Sequence, residues 1–169
     1  LADEIAKWHS SYVTNPRTEN DAFCFDTKEG DSMLISPVFD GFAATPSQRI
    51  ELTCGSDAGG TCEFYWTGTT NTKFGGFAPE KRTSLALEQG AVRIFPVEPF
   101  WQAEKKIIRL RLDFPHRPAA HYTIKSIRIV ETVPTAPTLL PVKDPALDSN
   151  GEWRAHVSLN AADAGFITL

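Results

Sequence analysis

Apolar and polar residues alternate with a period of two along much of this chain. In Ile107-Ile108-Arg109-Leu110-Arg111-Leu112-Asp113-Phe114, the set Ile108, Leu110, Leu112 and Phe114 falls on one face. Arg109, Arg111 and Asp113 fall on the other. The pattern predicts a strand with one buried and one wet face, as in an antiparallel sheet. Strands are predicted over 22–27, 32–38, 49–53, 62–67, 92–95, 106–114 and 122–131, each bounded by Gly, Pro, Asn or Asp. The last of these alternates less cleanly. Ile124 and Val130 share a parity with Arg128, whereas Ile127 and Ile129 share one with Lys125. A bulge, or burial on both faces, is expected there. Helical pattern is confined to Asp3–Trp8 and Ser84–Gln89, a turn or two each. Many short strands with frequent turns predict an all-β fold, an antiparallel β-sandwich or barrel, in place of βαβ units.

The same pattern sets the expected domain limits. Residues 1–131 form the β-sandwich module. Residues 132–148 include Thr132-Val133-Pro134-Thr135-Ala136-Pro137-Thr138-Leu139-Leu140-Pro141, a proline-spaced strap or linker that cannot pair as a central strand. Residues 149–169 become strand-like again from Trp153. Trp8, Tyr12-Val13 and Phe23-Cys24-Phe25 are echoed by Trp153, His156-Val157 and Gly165-Phe166-Ile167. The segment therefore reads either as the start of a truncated second module or as an extra strand of the first.

Composition narrows the function classes. The 169 residues are 41% hydrophobic and 22% charged, which suits a folded domain and not a disordered one. The net charge of −4 argues against a general nucleic-acid binder. No apolar run is long enough to span a bilayer. Leu1–Trp8 lacks the two leading regions of a signal peptide, and with no initial Met the chain is expected to be a piece of a longer protein. Cys54 and Cys62 flank a run of turn formers. Paired as a hairpin, their strands would set the two side chains face to face for a disulfide and imply an oxidising compartment; otherwise they are free thiols at a loop mouth. Cys24 reads as a lone, inert thiol.

Signatures of turnover are missing. There is no G-x-S-x-G, no H-E-x-x-H and no phosphate loop. Glu63, Asp113 and Glu131 lie in or at the ends of strands, but no tight acidic pair stands out in the sequence. His116 and His121 flank a hairpin-like loop, where solvated side chains are the bland reading and a metal or an anion the sharper one. Asp21, Asp26, Asp31 and Glu131 are oxygen donors near strand ends. Their spacing is not that of a calcium loop, so no cofactor is expected.

Cys62-Glu63-Phe64-Tyr65-Trp66-Thr67, then Trp101, then Arg109-Leu110-Arg111-Leu112-Asp113, then Ile127-Arg128-Ile129 resembles jelly-roll carbohydrate-binding-like modules of bacterial polysaccharide-degrading enzymes and cell-surface proteins. The resemblance spans about Phe23 to Glu131 and its motifs are loose. It implies a jelly-roll sandwich of galactose-binding-domain-like form. It also implies an accessory, non-catalytic role, a polysaccharide or glycan partner, neighbouring domains in the same chain, and an extracellular, periplasmic or cell-surface location. Spacer or protein-interaction modules share this form, and so do small jelly-roll hydrolases and lyases.

Sugars offer an apolar ring face and hydroxyls at the edge, so aromatic and polar side chains are the candidate binders. Tyr65 is expected at the surface, with Phe64 and Trp66 in the core. Phe74 and Phe77 read as aromatic tips of a glycine-rich loop, and Trp101 as a platform or a core lid. Arg109, Arg111 and Arg128, if they share a face, form a positive stripe suited to acidic sugars, with His116 and Arg117 close by.

Overall fold

A computed structural model describes residues 3–97 and 99–131 in full and, beyond them, the helix residue Ala2 and the strand residues 138–139, 146–147, 153–154 and 159–160. The chain divides into two units, Leu1–Thr132 and Val133–Leu169. With strands numbered along the chain, the first unit opens on a short helix, α1 (Ala2–Ile5), and then builds two five-stranded antiparallel sheets. The first sheet has the spatial order β1 (His9–Ser11), β4 (Met33–Ile35), β11 (Arg109–Asp113), β7 (Gly60–Thr67), β8 (Arg82–Leu87). The second runs β2 (Val13–Glu19), β3 (Ala22–Thr27), β12 (His121–Glu131), β6 (Gln48–Ser56), β9 (Gly90–Val97). A small ladder joins β5 (Phe42–Ala43) to β10 (Lys106–Ile107). Successive strands cross repeatedly between the large sheets, the path of a jelly-roll sandwich.

Alternation explains the core. From the second sheet Phe23, Phe25, Ile50, Leu52, Tyr122 and Ile124 turn inward; from the first come Leu34, Phe64, Trp66, Leu110 and Leu112. Phe25, Phe114 and Tyr122 pack as one aromatic group, with centroids 4.7–5.5 Å apart. Trp101 is fully buried in another, edge-on to Trp66 at 6.1 Å and to Phe42 at 5.2 Å, and its indole N–H donates to the Thr45 carbonyl at 3.2 Å. Its role is core lid and not sugar platform.

The structure amends several expectations. Arg82–Leu87 is a strand where a helical turn is predicted over 84–89, because Leu85 and Leu87 face the core while Ser84 and Ala86 do not. Packing at period two outweighs the helix preference of a short Leu-Ala-Leu run. The 106–114 strand breaks at Ile108, whose N–H donates to the Thr67 carbonyl; Ile107, not Ile108, is fully buried. The bulge expected in β12 is present, as a register shift between Ile124 and Ser126. Cys54 and Cys62 are free, buried thiols. They do not face each other across a hairpin, because β6 and β7 belong to different sheets and residues 57–59 carry the chain across. The argument for an oxidising compartment from these cysteines therefore lapses. Burial pushes the Cys54 thiol up to about 12 and raises Cys62 as well, so both stay protonated.

In the second unit, Thr138–Leu139 pairs with Leu159–Asn160, and Ala146–Leu147 with Trp153–Arg154. The proline-rich strap and the extra strand or second module are otherwise outside the described residues.

Replacing Trp101 with Ala is expected to lower stability by about 3–5 kcal/mol, since it opens a cavity and frees the Thr45 carbonyl. Urea unfolding should show a lower midpoint with an unchanged slope.

Candidate functional site

The wet face of the first sheet gathers most of the chemistry. On adjacent strands β11, β7 and β8, Arg111 lies opposite Tyr65, and Tyr65 opposite Arg82. One step along, Asp113 lies opposite Glu63, and Glu63 opposite Ser84. Such pairs share a face and touch. The Tyr65 hydroxyl donates to Glu63 Oε2 at 2.7 Å and accepts from Arg82 Nη1 at 2.9 Å; Arg82 also reaches Glu63 at 3.0 Å. Arg111 grips both oxygens of Asp113 at 2.6 Å and touches Asp31 at 3.4 Å. Its guanidinium stands 5.0 Å from the Tyr65 ring centre, and that of Arg82 stands 5.8 Å away.

Burial is the larger influence on Asp113 and raises its carboxyl above the ordinary value, with the Arg111 clamp pulling the other way. Burial likewise raises the Tyr65 hydroxyl, which stays protonated and able to donate.

A loop overhangs this array. Phe74, Gly75 and Gly76 take φ of 58°, 66° and 95° within the turn Lys73–Gly76. Gly76 is required there, because a Cβ would run into the Thr69 carbonyl oxygen. The tight turn leaves Phe74 71% exposed and buries Phe77 edge-on against Tyr65, with centroids 6.5 Å apart. Tyr65, Phe74, Phe77, Ala78, Pro79 and Arg111 line a hollow of about 210 Å3. A second hollow, of about 280 Å3, is lined by Asp31, Thr61, Glu63, Asp113, Phe114, Pro115 and His116.

The structure thus brings together Tyr65, Phe74, Phe77, Arg109 and Arg111 from the predicted set, with His116 at the polar hollow. Tyr65 faces outward as expected but is only 8% exposed, because the loop and two arginines cover it. Arg109 donates through Nε to the Ser36 carbonyl at 2.9 Å and stands over the Phe77 ring. Arg117 is exposed and donates to the Ala58 carbonyl at 2.7 Å. Arg128 belongs to β12 in the other sheet, beside Glu51 at 3.9 Å, so no stripe of Arg109, Arg111 and Arg128 exists.

Sequence reasoning missed the pairing of Glu63 with Asp113 and the part played by Arg82. The shared parity of Glu63 and Tyr65 was a signal; the strand that brings Asp113 alongside was not. Among the described residues, no group of three or more His, Cys, Asp or Glu is placed to hold a metal ion. Asp26 bonds His121 and Asn15, Asp31 meets Arg111, and Glu131 accepts from Thr45 and Ser47. No helix among the described residues is long and apolar enough to cross a membrane.

No protein-family model matches the chain, and no curated protein matches it. Solved structures do. PfGH50B superposes with a TM-score of 0.56 at 8% identity, over 75% of this chain and 23% of that one. The glycoside hydrolase domain of Endo-D from Streptococcus pneumoniae R6 gives 0.55 at 17% identity, over 90% of this chain and 26% of that one. The carbohydrate-binding module CBM4 gives 0.47 at 12% identity, over 74% and 94%. The chain spans about a quarter of the two larger proteins. Together with the sheet order, the first two likenesses make it an all-β, antiparallel sandwich of jelly-roll form.

The clamp on Asp113 has a pH signature. A folded value above the unfolded one means that the fold favours the protonated acid. The cost of ionisation is absent below the ordinary value of 3.8 and complete once pH exceeds the folded value. Arg111→Ala should move that window upward. It should destabilise the chain by about 3 kcal/mol at neutral pH, with the deficit shrinking as pH falls toward 3.8. Thermal midpoints across a buffer series check this; a deficit that ignores pH would assign the loss to packing instead.

Proposed function

We propose that this chain is a glycan-binding β-sandwich whose glycan face does no chemistry, an accessory part of a larger secreted or surface protein, and that its ligand is an uncharged polysaccharide. The observation that carries the reading is the wet face of the first sheet. There an exposed Phe74 and a half-open aromatic hollow adjoin a row of fixed hydrogen-bonding groups. A sugar ring stacks on the former while its hydroxyls meet the latter. The accessory part is supported by the length of the two larger neighbours, PfGH50B and the Endo-D glycoside hydrolase domain, of each of which the chain spans about a quarter.

The arginines argue for a neutral ligand. Arg111 is matched by Asp113 and Asp31, and Arg82 by Glu63, while Arg109 is turned to the Ser36 carbonyl and the Phe77 ring, so this face holds mostly paired charges and no cationic stripe. An acidic sugar would have to displace carboxylates already seated at 2.6–3.4 Å. Hydroxyls need not, because a fixed guanidinium–carboxylate pair offers a donor and an acceptor side by side.

A hydrolase is the second reading, favoured by Glu63 and Asp113 standing opposite one another beside one hollow. Both oxygens of Asp113 are held by Arg111, and Glu63 is occupied by Tyr65 and Arg82. Neither group is placed to hand a proton to a leaving oxygen, so binding is the stronger conclusion.

Affinity electrophoresis against a panel of neutral and uronic-acid polysaccharides tests the proposal. Retardation by a neutral polymer is expected, with little change between low and high salt. Phe74→Ala should weaken it about tenfold, or ~1.4 kcal/mol, and leave the thermal midpoint nearly unchanged. Unaltered mobility on every polymer would sink the reading, and release of reducing ends would favour the hydrolase.

A further inference from the structure

The opposite face of the sandwich carries a second cluster that the glycan reading does not use. His121 on β12 lies across from Asp26 on β3, and Thr123 across from Cys24. Asp26 Oδ1 is 2.7 Å from His121 Nδ1, and its other oxygen accepts from Asn15 Nδ2 at 2.7 Å. These bonds hold the Asp26 carboxyl below its ordinary value, so it is ionised and accepts. The imidazole therefore carries its proton on Nδ1, which turns the Nε2 lone pair toward the Thr123 hydroxyl, 3.4 Å away. Strand alternation makes this line-up: His121 and Thr123 are two apart on one face, and the inward Tyr122 between them is anchored in the core. Asp57 Oδ1 also accepts the His121 main-chain N–H at 2.8 Å and fixes the start of the strand.

Carboxylate, imidazole and hydroxyl stand in the order of a nucleophile with an oriented base. The separation of the last two is slightly long, as such contacts are without substrate. A hollow of about 380 Å3 opens on them, lined by His121, Thr123, Ser56, Asp57 and the 89–92 segment. Its wall is irregular backbone. Between Cys54↔Arg93 and Ser56↔Gly90 the ladder shifts register, so Ala91 and Val92 together oppose Gly55. A bulge of this kind leaves main-chain groups outside the ladder.

We infer that this hollow is an acyl-transfer site for small carboxylic esters, with Thr123 as nucleophile, His121 as base and Asp26 as its positioning residue. Thr123 Oγ1 attacks the ester carbonyl carbon, and its proton passes to His121 Nε2. Asp26 stabilises the resulting imidazolium. The tetrahedral oxyanion forms beside the bulged main chain of Ala91 and Val92, which lines the hollow. Collapse breaks the carbon–oxygen bond to the alcohol, which leaves with the proton from Nε2. Water, deprotonated by the same nitrogen, then attacks the threonyl ester; the carbon–oxygen bond to Thr123 breaks, Nε2 returns its proton to Thr123 Oγ1, and the acid is released. No oxidant, metal or further reactant is needed.

The inference is independent of glycan binding, because it concerns the other sheet. Two measurements on the full chain test it. p-Nitrophenyl acetate should be hydrolysed above the buffer rate. Thr123→Val and His121→Ala should lose about a hundredfold or more of that excess, and Thr123→Ser should retain it, with circular dichroism confirming folded variants. The unmutated chain, treated with a fluorophosphonate, should carry the adduct on Thr123 by peptide mass spectrometry. No hydrolysis above buffer, an excess rate that survives Thr123→Val, or an adduct on Cys24 or elsewhere in place of Thr123 would each overturn the inference.

Discussion

Leu112 and Phe64 sit opposite one another on neighbouring strands, both fully buried, and Leu110 opposite Trp66 repeats the arrangement one step along. Burial of those four side chains fixes the register of β11 against β7. Because side chains alternate, the same register decides that Arg111 meets Tyr65 and Asp113 meets Glu63 on the wet face. A slip of one residue would send the charged set into the core and expose the apolar one. The hydrophobic core thus determines which polar groups become neighbours. The polar array of the wet face is a by-product of inward packing, refined by what lies outside.

Such a surface has to solve a charge problem. Asp113 is nearly buried, and an isolated carboxylate there would be costly. Arg111 resolves it with two short bonds, and Arg82 does the same service for Glu63 and Tyr65. The solution neutralises Arg111 and Arg82 and holds each donor and acceptor in place. Rigid, compensated groups lose little conformational freedom on meeting a ligand. They are poorly suited to recruiting an anionic polymer from a distance, since the long-range field of a matched pair is small.

Much of the fold was legible because period-two alternation survives in the central strands. Leu110, Leu112, Phe64 and Trp66 could be assigned to the core from parity alone, and the irregular parity of Tyr122–Val130 pointed to a bulge or to burial on both faces, of which the structure shows the bulge. The edges were less readable. Val13–Glu19 carries only Val13 as an apolar residue and is largely exposed, so no alternation marks it. Arg82–Leu87 buries only two leucines and imitates a helical turn. For the site, sequence parity placed Tyr65 outward but could not say that the 72–81 loop would fold over it. Nor could it tell that Arg109 and Arg128 lie in different sheets, because strand order is a property of long-range pairing and leaves no local trace.

The same limit explains why both polar clusters emerged only in three dimensions. Asp26 and His121 are 95 residues apart in sequence, and Asp31 and Arg111 are 80 apart. In each case a strand from the first quarter of the chain is stitched beside one from the last third of the first unit, β3 to β12 and β4 to β11. A jelly roll does this by construction, since its early and late strands become central neighbours in both sheets. Polar groups on those four strands are consequently the ones best braced by packing on either side. That bracing is what a ligand-binding or reacting side chain needs, and it accounts for the hydrogen-bonded polar clusters gathering on β11 and β12 while the edge strands β1, β2, β8 and β9 contribute mainly supporting contacts.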